Sequence, residues 1–301
     1  MNRALKILVT GATGFVGPAI VRRLVDDGHT VRVLEHTAGS SASLPNQESV
    51  EGSMTDPASL REAVAGQDVV VHLVALLSGK PEEFRNVMEQ GTRDLLEVTR
   101  DAGVRRFVLM SALGTTEETK DLVPYYHAKW QMEQDVKASG LEHVIFRPSF
   151  VFGRDGGALG QFKKIAKLAP VTPIVGPGTQ RIQPIWLDDV AAYFAAAIEK
   201  PEAANRTFEL GGPDAVTWNE FWSRLKRAQG AHRPSLHVPF GLMRMQAAVL
   251  EKLPNPPVTR DQLKMLAAGD NVVSNSDAVD TFGLPLVPLD EQLRRATAKD
   301  A

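Results

Sequence analysis

Apolar positions follow two alternating patterns over the first half of the chain. "LKILVTG" (5–11), "TVRVLEH" (30–36), "DVVVHLVA" (68–75), "RFVLMSA" (106–112) and "HVIFRPS" (143–149) are short runs rich in β-branched residues, which predicts buried strands. Between them "GPAIVRRLVDDG" (17–28), "DPASLREAVAG" (56–66), "EEFRNVMEQGTRDLLEVTRDAG" (82–103) and "PYYHAKWQMEQDVKASG" (124–140) are longer, space their apolar residues three and four apart, and run into glycine as helices do at their C-termini. Asp56-Pro57 offers a cap followed by a proline in the first turn. Strand and helix in strict alternation predict an α/β fold, a doubly wound parallel sheet over residues 1–150.

After Arg147-Pro148 the rhythm gives way to proline- and glycine-rich connections such as "GRDGGALG" and "APVTPIVGPGTQ", which suit a smaller lobe over residues 151–301. "RTFELGG" (206–212) breaks that pattern with alternating β-formers. A strand near 206–211 would rejoin the first sheet and interleave the two lobes.

With 43% apolar residues in 301, the chain can build a substantial core. Lys and Arg number 34 against 36 Asp and Glu, so no overall field favours a polyanion, and nucleic acid is not an expected partner. Cysteine is absent, which removes disulfides and thiolate chemistry and fits a reducing, cytoplasmic compartment. The opening residues are too short an apolar run for a secretory leader, and no segment is apolar for long enough to span a bilayer. The seven histidines lack the helical pairing that binds zinc, so no metal site is expected.

Chemistry enters with "VTGATGFVGPAIVRRL" (9–24). Gly11 permits a sharp turn off the first strand, Gly14 lets backbone approach a diphosphate, and Gly17 lets the following helix pack close. Thr13, Phe15 and Val16 lie between them and join the same cofactor contacts. The helix start would then face phosphate with free N–H groups and a positive dipole end. Glu35, 18 residues beyond Gly17, ends the second strand where a carboxylate can accept hydrogen bonds from a ribose. An acid there repels a 2′-phosphate and favours NAD over NADP. The alternative is a solvated Glu35, with His36 or a lysine meeting that phosphate.

Tyr125 and Lys129 stand four apart on a helix beginning near Pro124, so they share a face. A neighbouring ammonium stabilises a phenolate and lowers its pKa, which makes tyrosine a usable acid or base. Taken with the glycine loop, the pair resembles the extended form of the short-chain dehydrogenase/reductase superfamily. "TGATGFVG", "YYHAK", "RPSFVFG" and "QPIWLDDVA" carry that resemblance over nearly the whole length. "GVRRFVLMSALG", "PYYHAKW" and "LPNPPVTRDQLKML" are similar to an atypical branch that includes the alpha-subcomplex subunit nine of complex I and its bacterial relatives.

The resemblance implies a Rossmann-type domain that binds NAD(H). Lys129 would hold the nicotinamide ribose and Tyr125 would stand beside a carbonyl or carbinol. Leu73, Val74 and Ala75 would line the cofactor, Pro148 would lie near the nicotinamide, and Ser53 and Met54 would lie at the adenine end. The pattern is also broken in places. Ser111 is the candidate for polarising the substrate oxygen but falls one residue early, with Ala112 at the expected place. Met88 stands where an asparagine is usual, and Ser53 replaces an acid.

Three readings stay open for the apolar stretch around Leu242, Met243, Met245, Ala247, Val249, Leu250 and Leu253: lobe core, the wall of a hydrophobic pocket, or a partner or membrane contact. Trp218 and Trp222 are expected to pack in the lobe, and Asp188-Asp189 to cap a helix rather than act as paired acids. The implied activity is an NAD-dependent oxidoreductase or epimerase/dehydratase working on a small molecule. The alternative is an NAD(H)-binding accessory or sensor protein with a degenerate active site, taking a quinone-like ligand or an assembly partner, or forming a homo-oligomer.

Overall fold

A computed structural model describes residues 4–251 and 258–298. Lys252, Leu253 and the rest of the "LPNPP" stretch lie outside the described residues. The chain divides into two compact units. One comprises Met1–Pro148, Leu187–Leu210 and Ser276–Leu284, the other Ser149–Trp186, Gly211–Asn275 and Pro285–Ala301.

The first unit carries a seven-stranded, all-parallel sheet. Its elements in chain order are β1 (Lys6–Thr10), α1 (Gly17–Asp26), β2 (Thr30–Glu35), β3 (Gln47–Glu51), α2 (Pro57–Val64), β4 (Val69–His72), α3 (Pro81–Glu83), α4 (Gly91–Asp101), β5 (Arg106–Met110), α5 (Pro124–Ala138) and β6 (Glu142–Pro148). A π-helical segment, Phe84–Gln90, joins α3 to α4. The spatial order is Arg206–Leu210, β6, β5, β4, β1, β2, β3, so the strand of "RTFELGG" does pair with β6. All four residues of β4 are buried, as a strand covered on both faces must be, which explains its unbroken apolar run.

Leu8, Val70, Phe107 and Ile145 pack with Leu60, Leu95 and Met132 on one side of the sheet. On the other side Phe146 lies among Tyr193, Phe194, Phe208 and Phe282, with ring centroids 4.8–6.4 Å away. The strand order reverses at β1, which has β2 on one side and β4 on the other. In open sheets of this kind the carboxyl ends at such a reversal leave a crevice for ligand.

The strand pattern misses β3. "QESVE" offers one apolar residue in five and holds its place through backbone pairing at the sheet edge, where charged side chains are tolerated.

The second unit is built from short helices and two-stranded pairs around Phe152, Phe162, Phe221 and Leu293. Trp218 and Trp222 are buried in that cluster. Helix Trp218–Ala228 starts with a reciprocal cap between Thr217 and Glu220. The helix Phe240–Leu250 departs from the core reading, because Ala247 is its only fully buried residue while Leu242, Met245 and Val249 face solvent. No described helix is long and apolar enough to cross a membrane.

Candidate cofactor and catalytic site

The glycine loop leaves β1 at the strand reversal, and its glycines are required by what they touch. Gly11 has a φ of +76°, and a Cβ there would come within 2.9 Å of the Leu73 and Val74 backbone at the end of β4. A Cβ on Gly17 would fall on the Ala12 carbonyl. Gly14 closes the turn by donating its N–H to the Gly11 carbonyl at 3.1 Å, and Thr13 and Gly14 are exposed at its crown. Helix α1 then begins with no side-chain cap at Val16. Its first N–H groups and positive dipole end therefore remain available to an anion, and the turn leaves room for backbone to approach one. Phe15 is half-buried beside the turn. These features fit the diphosphate of a dinucleotide.

Glu35 is almost fully buried at the end of β2, and its own loop claims it. Gly39 donates to Oε2 at 2.7 Å, the Ser41 N–H and Ser49 hydroxyl each donate to Oε1 at 3.0 Å, and the Ser41 hydroxyl donates to Oε1 as well. Burial pushes the carboxyl up, but the hydrogen bonds from Ser41, Ser49 and Gly39 outweigh it and hold the pKa below the usual value. Glu35 is thus an ionised carboxylate that staples the loop behind it. A ribose would have to share Oε2 or displace the loop donors. His36 is exposed. Ser53 bonds Thr55 and Ser59, and the Met54 carbonyl presses on Gly91, so these two order the turn into α2.

At the far end of the crevice Lys129 is buried, and its Nζ donates to the carbonyls of Val74 at 3.1 Å and Met110 at 2.6 Å. Burial lowers its pKa to about 7, against an upward pull from Glu133. Tyr125, one helical turn earlier on α5, is half-buried. The expected lowering of its pKa does not occur. Burial first, and Tyr126 second, push the phenol above its ordinary value, while the Lys129 ammonium is turned to backbone carbonyls.

Ser111 is corrected by the pleat of the strand it follows. It points inward, and its hydroxyl donates to Glu133 at 2.6 Å, while Ala112 takes the half-exposed position. Glu133 is fully buried and accepts a bidentate pair from Arg147 at 2.7 and 2.8 Å. Burial raises its pKa, and hydrogen bonds from Arg147 and Ser111 lower it to a net value below the usual one. Sequence reasoning missed Glu133. Its only sequence signal is its place one turn beyond Lys129 on the same helix face.

A second buried chain of hydrogen bonds was also missed. The Thr92 hydroxyl donates to the Met88 carbonyl at 2.5 Å, so Thr92 must accept from His72 Nε2 at 3.0 Å. His72 Nδ1 then accepts from the Thr10 hydroxyl at 2.6 Å. Burial, and then the Lys129 charge, lower the His72 pKa to about 3, so the ring is neutral. Met88, in the asparagine position, is fully buried and serves this packing. The Leu73 backbone abuts Gly11, Ala75 is exposed, and Pro148 is buried with its carbonyl accepting from Leu113 at 3.0 Å. Asp188 and Asp189 occupy the first turn of helix Leu187–Ala197, where carboxylates complement the helix dipole.

A glycine turn and an uncapped helix at a strand reversal define a dinucleotide-binding α/β protein. A family model described as NAD(P)H-binding matches residues 11–201, and the chain belongs to that family. Ceramide reductase of Caulobacter vibrioides is 30% identical over 240 residues, covering 77% of this chain and 73% of that one. A mitochondrial NADH dehydrogenase [ubiquinone] 1 alpha subcomplex subunit 9, from Arabidopsis thaliana, is 28% identical over 306 residues, covering 93% and 73%. The fold matches a solved UDP-glucose 4-epimerase of Thermotoga maritima with a TM-score of 0.77 at 22% identity, covering 97% of each chain.

Proposed function

We propose that the protein is an NADH-dependent reductase of a carbonyl on an amphiphilic small molecule. Bound nicotinamide would supply a hydride to the carbonyl carbon. Gly11, Gly14, Gly17 and the start of α1 would hold the diphosphate. Glu35, kept ionised by its loop, would disfavour a 2′-phosphate. Lys129 would give up its bonds to Val74 and Met110 for the nicotinamide ribose.

The observation that carries the reading is the placement of Tyr125 one turn before the buried Lys129 on α5, at the end of the crevice away from the glycine turn. A tyrosine is protonated at neutral pH and so carries the proton a reduced carbonyl oxygen must receive, and an ammonium brought beside it would lower its pKa toward the working range. The departing proton leaves a phenolate whose charge Lys129 offsets. An apolar-chained substrate is supported by the relative named for ceramide reduction. The commitment of Ser111 to Glu133, with Ala112 in its place, favours a second reading: a cofactor-binding accessory protein without turnover, and a relative named as a subunit of a larger complex supports it.

NADH oxidation against a panel of long-chain ketones and 3-oxoacyl compounds separates the two. The reductase reading expects turnover that falls about 100-fold or more in Tyr125→Phe with cofactor affinity unchanged. Tight NADH binding without turnover, insensitive to that substitution, would establish the accessory role.

A further inference from the structure

The two units carry opposite charge. The second has 16 Lys and Arg against nine Asp and Glu, while the first has 18 against 27. A nearly neutral total conceals this separation. Within the second unit, residues 156–187 and 221–250 contain no acidic residue at all. The fold joins these two stretches through the parallel pair Thr172–Val175 and Ser235–Val238. Lys164, Lys167, Arg227, Arg233 and Arg244 are exposed there and make no ion pair among the described residues.

The same neighbourhood leaves apolar side chains in water. Leu242, Met245 and Val249 are 46%, 66% and 68% exposed and, spaced three and four apart, form one stripe along helix Phe240–Leu250. Leu236 is 54% exposed on the strand Ser235–Val238. Phe240 lies against Gly176, just beyond strand Thr172–Val175, which ties the start of the helix to the strand pair. Leu168, 73% exposed, ends helix Gly157–Leu168, the helix that carries Lys164 and Lys167.

We propose that this face of the second unit docks on an anionic lipid surface, with the helix Phe240–Leu250 lying in the interface. Leucine, methionine and valine on the exposed face of a helix gain by entering acyl chains, and surrounding unpaired cations gain by meeting anionic headgroups. A second copy presenting the same face would bring like charge against like, and one presenting its acidic first unit, where Leu77 is the only large exposed apolar side chain among the described residues, would leave most of the stripe uncovered. A nucleic acid would use the cations but leave the stripe in water. The inference is independent of the cofactor chemistry and stands or falls apart from it.

Flotation of the full chain with phosphatidylcholine vesicles, with and without about one quarter phosphatidylglycerol, tests it. Binding is expected on the anionic vesicles only, weakening severalfold between about 0.1 M and 1 M salt as the Debye length falls from about 10 to 3 Å. Arg233→Ser and Arg244→Ser should each cost roughly fivefold in partition. Met245→Glu with Val249→Glu should cost about tenfold or more. These positions are exposed, and an unchanged melting temperature and NADH affinity will show that the variants fold. No binding to anionic vesicles, equal binding to neutral ones, or full binding by the glutamate variant would overturn the proposal. So would a vesicle-free dimer that the glutamate variant dissolves, which would make the stripe a self-association surface.

Discussion

The two ends of the crevice are built on different principles. At the diphosphate end, function rests on backbone: a turn that tolerates no Cβ at Gly11 or Gly17, and a helix start with no side-chain cap. At the far end, where we place the proposed chemistry, the candidate groups are side chains, and nearly all of them are already engaged. Ser111 is held by Glu133, Lys129 by two carbonyls, and His72 by Thr10 and Thr92. The backbone end can accept a ligand as it stands, whereas the side-chain end must exchange protein partners for ligand before it can act. A fold of this kind can therefore keep cofactor binding while catalysis is gained or lost by small changes of register, as between Ser111 and Ala112.

The largest effect that sharpens this contrast comes from removing the partner of a buried charge. Arg147→Met takes the bidentate partner from the buried Glu133 and leaves it Lys137 at 3.2 Å and the Ser111 hydroxyl, and it should destabilise the protein by about 2–4 kcal/mol in denaturant unfolding. A loss below about 1 kcal/mol would mean that the pair is not structural.

His72 gives a smaller, pH-dependent effect. Its folded pKa of about 3 lies below the ordinary 6.5, so the unfolded chain binds the proton more readily between those values. Stability is fully present above about pH 6.5 and is lost as pH falls toward 3. The difference in stability between wild type and His72→Asn should change by about 1–2 kcal/mol between pH 6.5 and about pH 5, with the variant less sensitive to acid. Parallel pH profiles for the two proteins would contradict a buried neutral imidazole.

The smallest effect concerns the loop acid. Glu35→Ala should raise the ratio of NADPH to NADH affinity roughly threefold to tenfold. No change in that ratio would show that the stapled carboxylate takes no part in cofactor choice.

What could be read from the sequence divides along the same line. Backbone demands leave a composition trace: β-branched runs marked six of the seven sheet strands, and the glycine spacing marked the loop. Side-chain partnerships between distant residues leave none. Glu133 with Arg147, and His72 with Thr10 and Thr92, are separated by 14 to 62 positions, and only the packed sheet brings them together. The bare stripe on helix Phe240–Leu250 was illegible for a related reason, since an apolar face looks the same in sequence whether a core covers it or not.

The most direct measurement of the central claim, that the first strand-to-helix turn grips a dinucleotide diphosphate, is calorimetric titration of NADH into wild type and Gly17→Ala. Saturable binding by the wild type, weakened about tenfold or more when the new methyl is forced onto the Ala12 carbonyl, is the expected result. Equal affinity in the two proteins, or no heat of binding in either, would contradict it.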